Sequence, residues 1–135
     1  MNIVKKILLV QKIKKAKLSI AFVTQQKITA LNKKFLKRPF ATDVLAFDFS
    51  YQNQAHKVIS KRVQTLNGEI VISLDAALKN AKIYDSSFTK EIVLYVIHGI
   101  LHLSGFDDHR SADKKRMREK EKGLLKKVEK EIKKL

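Results

Sequence analysis

Residues 92–103, IVLYVIHGILHL, constrain this chain more than any other stretch. Ile92, Val93, Leu94, Val96, Ile97, Ile100, Leu101 and Leu103 occupy nearly every angle around a helix, and only His98 and His102 interrupt them with strongly polar groups. A helix that is apolar on all sides has no face to offer water, so it must be the central, buried element. Ser86 or Ser87 can cap its start, Glu91 complements the positive end of its dipole, and Gly105 stops it. The run is too short for a bilayer, which needs about 18 to 20 apolar residues. A chain of 135 residues can wrap one core around such a helix and has no room for a second full domain, so a single domain over 1–135 is expected.

The remaining segments supply the wrapping. Ile3, Ile7, Leu8 and Ile13 suit a short basic amphipathic helix within residues 1–17, though a strand-like opening fits too. Residues 18–23 (LSIAFV) read as a buried strand, and Thr24 as the N-cap of a helix with Ile28, Leu31 and Phe35 on one face, ended by Pro39. Residues 43–49 (DVLAFDF) form the next strand, and the strand–helix–strand order predicts a right-handed parallel crossover. Residues 50–57 are polar loop. Asn67-Gly68, before the strand 69–74, suits a hairpin turn behind an edge strand or a plain loop end. Asp75 caps a short helix through Lys82. Beyond Ser111 the chain reads as helix to the end, with Met117, Leu124, Leu125, Val128, Ile132 and Leu135 as its apolar stripe. The expected fold class is α+β: a mixed sheet of about four strands packed with four to five helices.

The two histidines lie four residues apart, so on a helix they stand about 40° apart and one turn up, aimed at a common point. Buried imidazoles need hydrogen bonds or a metal to offset desolvation. After Gly105 the chain reverses and brings back Asp107, Asp108 and His109, any of which could close a three-ligand site with a fourth position open to water. No cysteine is present, which excludes a thiolate zinc site, an iron–sulfur cluster, a disulfide framework and a cysteine nucleophile. Zinc proteases of the H-E-x-x-H type carry a general-base Glu after the first His. Here that position is Gly99, which disfavours peptide hydrolysis.

Charge narrows the partners. Residues 1–42 hold eleven basic side chains and no acidic one, and residues 110–135 hold twelve against five, while the centre is slightly acidic. The net charge of +16 thus sits at the two ends, as a polyanion-binding surface would require, although lysines also solvate helix faces in proteins that meet no nucleic acid. No signal-peptide pattern opens the sequence, and the cytoplasm is the expected location.

With His98, Gly99, Leu101, His102, Leu103, Gly105, Phe106 and Asp107 in place, the chain resembles the YbeY family of zinc-dependent endoribonucleases, whose signature reads approximately H-G-x-L-H-L-x-G-[YF]-D-H. Leu31-Asn32 with Phe35, then Thr42-Asp43-Val44-Leu45-Ala46-Phe47, and Gly68-Glu69-Ile70-Val71-Ile72-Ser73 follow that family's other blocks in order, and Met117 and Glu121 fall in its usual helix. The likeness covers about residues 18–123. It implies single-strand-specific cleavage of RNA, one zinc ion per chain, a role in maturation of the small-subunit ribosomal RNA 3′ end and in ribosome quality control, and single-stranded RNA, ribosomal RNA and the ribosome as partners, with neither DNA nor membrane.

Three departures from the family pattern matter. Leu36 stands where the family has an Arg assigned to substrate phosphate, so that function is lost or has moved to a neighbour such as Arg38. Asp107-Asp108 replaces a single Asp, so the third ligand is His109 with a one-residue bulge or Asp108 without one; His109 is favoured because imidazole is the commoner metal ligand. Ala41 and Ala46 replace a Pro and a Ser. The expected catalytic and metal residues are therefore His98, His102 and His109. Asp43 could orient a ligand His or fix the start of its strand, and His56 sits in the polar loop as an exposed residue. The competing functions are a non-catalytic RNA-binding assembly factor with a structural metal, supported by Leu36, and, less favoured, a metalloprotease.

Overall fold

The structure, a computed structural model, describes residues 2–37, 42–50, 65–106 and 109–135. Its elements are α1 (Asn2–Val10), β1 (Lys15–Val23), α2 (Gln25–Leu36), β2 (Val44–Asp48), β3 (Thr65–Ser73), α3 (Leu74–Ile83), α4 (Phe88–Leu103), α5 (Ser111–Lys127) and α6 (Glu129–Lys133). The α+β class is as expected, with three strands among the described residues rather than four. The C-terminal helix is broken at Val128, so the described residues hold six helices. His56 and Arg38 lie outside the described residues.

The sheet order is β1-β3-β2, with β1 parallel and β2 antiparallel to β3. The parallel crossover is therefore made from β1 to β3, and β2 reverses direction instead of pairing with β1. Asn67 and Gly68 form neither a turn nor a loop end: they sit inside β3, paired with Lys17 and Leu18 on one side, and Gly68 also with Asp48 on the other. The reason is packing. A Cβ on Gly68 would run into the Phe47 carbonyl oxygen and come within 2.9 Å of Leu103 Cδ2, so glycine is what lets α4 lie down on the sheet.

As the strand at the centre of the order, β3 is covered on both faces. Ile70 and Ile72 point toward α4, into a core shared with Val93, Ile97, Ile100 and Leu101, all at most 1% exposed. Val71 points the other way, onto Leu45 and onto Ile28 of α2. Each fully buried Ile or Leu contributes about 1.5–3 kcal/mol of transfer free energy, so α4 is the main organiser of the domain. Gly99 repeats the device seen at Gly68: a Cβ there would come within 2.8 Å of Ile70 Cδ1.

Local signals set the element ends. The Thr24 side chain accepts from the Lys27 amide and that of Ser87 from the Lys90 amide, as their positions predict. Before α3 the cap is Ser73, not Asp75; the Asp75 carboxylate accepts from the Gln25 amide at 2.6 Å and ties α3 to α2. Helix α2 ends at Leu36 with Lys37 in the left-handed region (φ 57°), and α4 ends before Gly105 (φ 98°). The N-terminal helix stops at Val10, and Lys15 to Lys17 already belong to β1.

Candidate metal and active site

Among the described strands β2 is an outer one, paired with β3, and α4 packs beside it. Between them lies a cavity of about 660 Å³, within the usual range for ligand sites, floored by Leu94, His98 and His102 of α4 and bounded by Asn32, Leu36 and Asp43. His109 and Glu121 complete its lining.

The helical spacing does what the sequence predicts. His98 Nε2 and His102 Nε2 stand 3.0 Å apart, with ring centroids at 4.5 Å and planes inclined by 72°. On its far side His98 Nδ1 contacts the Glu121 carboxylate, a pair 24% and 13% exposed. An Nδ1–H donated to that carboxylate fixes the tautomer and leaves the Nε2 lone pair facing His102. Two nitrogens each about 2.0–2.1 Å from one tetrahedral zinc stand about 3.3 Å apart. The observed pair is within a few tenths of an ångström of that spacing, and a carboxylate behind one ring is the usual outer support of a metal-binding histidine, so these residues fit a divalent ion.

The third donor is placed less closely. His109 lines the same cavity and is exposed, but among the described residues no three His, Asp or Glu side chains cluster tightly enough to hold an ion. Asp107 and Asp108 lie outside the described residues. Leu36 lines the cavity, 47% exposed, at the position of the family's Arg. Asp43 fixes the start of β2, its carbonyl oxygen accepting from the Ser73 amide at 2.9 Å, and its carboxylate accepts from Asn80 Nδ2 at 3.5 Å.

Two site features go beyond the sequence reading. The first is Glu121 as the partner of His98; its only sequence signal is a carboxylate, four residues after Met117, on the cavity side of α5. The second is a polar chain beneath the cavity wall, in which Asn80 Nδ2 donates to the Tyr95 hydroxyl (2.7 Å) and to Asp43 Oδ2 (3.5 Å), and the hydroxyl donates to the Ala76 carbonyl (3.4 Å). Burial pushes the Tyr95 phenol up to about 12, against the Asn80 hydrogen bond, which favours the ionised form. Because the folded pKa exceeds the ordinary 10, this phenol's contribution to stability is complete below pH 10 and is lost as pH rises toward 12. A Tyr95→Phe variant is expected to show a shallower loss of stability across that window, measured by urea unfolding at stepped pH; an unchanged slope would refute the assignment.

Residues 1–129 match the family model described as Endoribonuclease YbeY. Among curated proteins, an Endoribonuclease YbeY of Alkaliphilus oremlandii is 39% identical over 110 residues, covering 79% of this chain and 68% of that protein. Another, of Anaeromyxobacter dehalogenans, is 39% identical over 109 residues, 81% of this chain, though the match spans only 52% of that longer protein. A solution structure of a Thermotoga maritima protein superposes with a TM-score of 0.65 at 28% identity, covering 98% of this chain and 83% of the other.

Proposed function

Because the chain belongs to the YbeY family of endoribonucleases, we propose that it is a single-strand-specific, metal-dependent endoribonuclease that acts in ribosomal RNA maturation, at the small-subunit 3′ end, and in ribosome quality control. Residues 1–135 work as one catalytic domain, in the cytoplasm, on single-stranded ribosomal RNA and the ribosome. No described helix is long and apolar enough to cross a membrane. The observation that carries the reading is the convergence of His98 Nε2 and His102 Nε2 at 3.0 Å inside the cavity.

His98 and His102 would hold one zinc ion, with His109 from beyond the Gly105 turn as third ligand. When bound, such an ion supplies Lewis acidity to a scissile phosphate. The chain's own residues do the rest. Glu121 holds His98 in the tautomer that presents Nε2. Leu36, Leu94 and Leu103 supply an apolar lining that limits water and strengthens electrostatics in the cavity. The lysines of residues 1–42 and of α5 draw in the phosphate backbone and lay it across the opening. Gly99 leaves no carboxylate beside His98 on α4 to act as a protease's general base.

Zinc-loaded protein is expected to cut a single-stranded RNA internally, to stop when a chelator is added and to resume with zinc. Leu36 at the place of the family's Arg favours a second reading, a non-catalytic RNA-binding assembly factor. RNA binding without cleavage at any salt concentration would establish that reading and reject the first, and chelator-sensitive turnover of casein would indicate a protease.

A further inference from the structure

The apolar stripe of α2 does not stop where the sheet stops. Ile28 and Asn32 are buried, at 0% and 2%, yet Phe35 and Leu36, next on the same side of the helix, are 55% and 47% exposed. Leu36 lines the cavity, and Phe35 precedes it on α2 and packs against Phe47, which lies between the cavity-lining Ala46 and Asp48 of β2. The Phe35 ring is held edge-on by Phe47 of β2, with centroids 5.6 Å apart and planes at 74°, and is not immersed in the core. Lys34 Nζ lies 5.3 Å from its centroid, and Lys33 and Lys37 belong to the same turn. No acidic residue occurs anywhere in residues 1–42. A half-open aromatic ring held among cations suits a ligand that is both polyanionic and flat-faced, and poorly suits an apolar protein surface.

We infer that Phe35, with Lys34, is a stacking platform for an unpaired nucleobase next to the nucleotide in the cavity, and so a residue that makes single strands rather than duplexes the substrate. The inference rests on the endoribonuclease reading. In a duplex both faces of a base are covered by its neighbours, and only an unpaired base can lay a face on the ring. Lys34 then turns from the ring to a phosphate of the same nucleotide, its long stem allowing the movement.

The test uses the full chain and a fluorescein-labelled RNA protected by 2′-O-methyl and phosphorothioate groups, offered as single strand and as duplex. Stacking of a base on an aromatic ring corresponds to about a 5- to 150-fold change in affinity. Phe35→Ala is expected to weaken single-strand binding within that range and leave duplex binding unchanged, while Phe35→Trp retains single-strand affinity. The chain has no tryptophan, so the Phe35→Trp variant carries a lone indole whose emission is expected to be quenched by the single strand and not by the duplex. An unchanged single-strand affinity in Phe35→Ala, equal losses for both RNAs, or an indole blind to RNA would each overturn the platform, with wild-type cleavage left standing. A wild-type chain that neither binds nor cuts single strands overturns the nuclease reading and the platform with it.

Discussion

His102→Ala and His98→Ala are expected to purify with far less than one zinc per chain and to lose RNA cleavage by at least about 100-fold, since even outer-shell changes at metal sites cost 10- to 100-fold. Both side chains lie on a helix whose core contacts come from Ile97, Ile100 and Leu101, so circular dichroism of the metal-free variants should still show a folded domain. Glu121→Gln is the finer probe. It keeps the shape beside His98 Nδ1 but removes the charge, and zinc affinity is expected to fall about 10- to 100-fold. Metal analysis by mass spectrometry checks all three. Full zinc occupancy in His102→Ala would show that the proposed site is wrong.

Gly68→Ala is expected to destabilise the fold by about 3 kcal/mol, at the upper end of overpacking costs, because the added methyl meets the Phe47 backbone oxygen and Leu103. A backbone atom cannot rotate away, and β3 is held from both sides by β1 and β2. For a chain of this length that corresponds to a melting temperature lower by about 10 °C. The matched control is Gly123→Ala in α5, where the new Cβ meets nothing within 4 Å and helix propensity favours alanine by about 1 kcal/mol. Scanning calorimetry should therefore move the two variants in opposite directions, and a Gly68→Ala protein as stable as the parent would contradict the close approach of α4 to the sheet.

These two glycines also mark what the sequence could and could not disclose. The identity and burial of α4 were legible because periodicity is a local property, and so were Thr24, Ser87 and Gly105 at element ends, where a cap or a positive φ is decided within a few residues. Gly68 is not legible in that way, because Asn-Gly is a local turn or loop signal, whereas its role comes from Phe47 about twenty residues earlier in the chain and Leu103 about thirty-five later. The pairing of β3 with β1 is similarly non-local. In the site, the spacing of His98 and His102 disclosed their convergence, since one helix sets it. Glu121 approaches His98 from 23 residues away, through the packing of α5 on α4, and no spacing rule anticipates that. The proposed third donor, His109, lies beyond the end of α4 at Leu103, where no helical spacing rule fixes its position relative to the pair.

Helix α4 touches β2, β3, α3, α5 and α6, and it carries both imidazoles of the pair. The zinc ion proposed for those rings would therefore act on the global unfolding equilibrium and not on one loop. Saturation at a thousand times the dissociation constant would add about 4 kcal/mol to the free energy of unfolding. Copies that never acquire zinc would open more often and present their chains to cellular proteases sooner. Abundance of this protein in a cell should accordingly follow zinc supply, through turnover of the empty form and without any change in its synthesis.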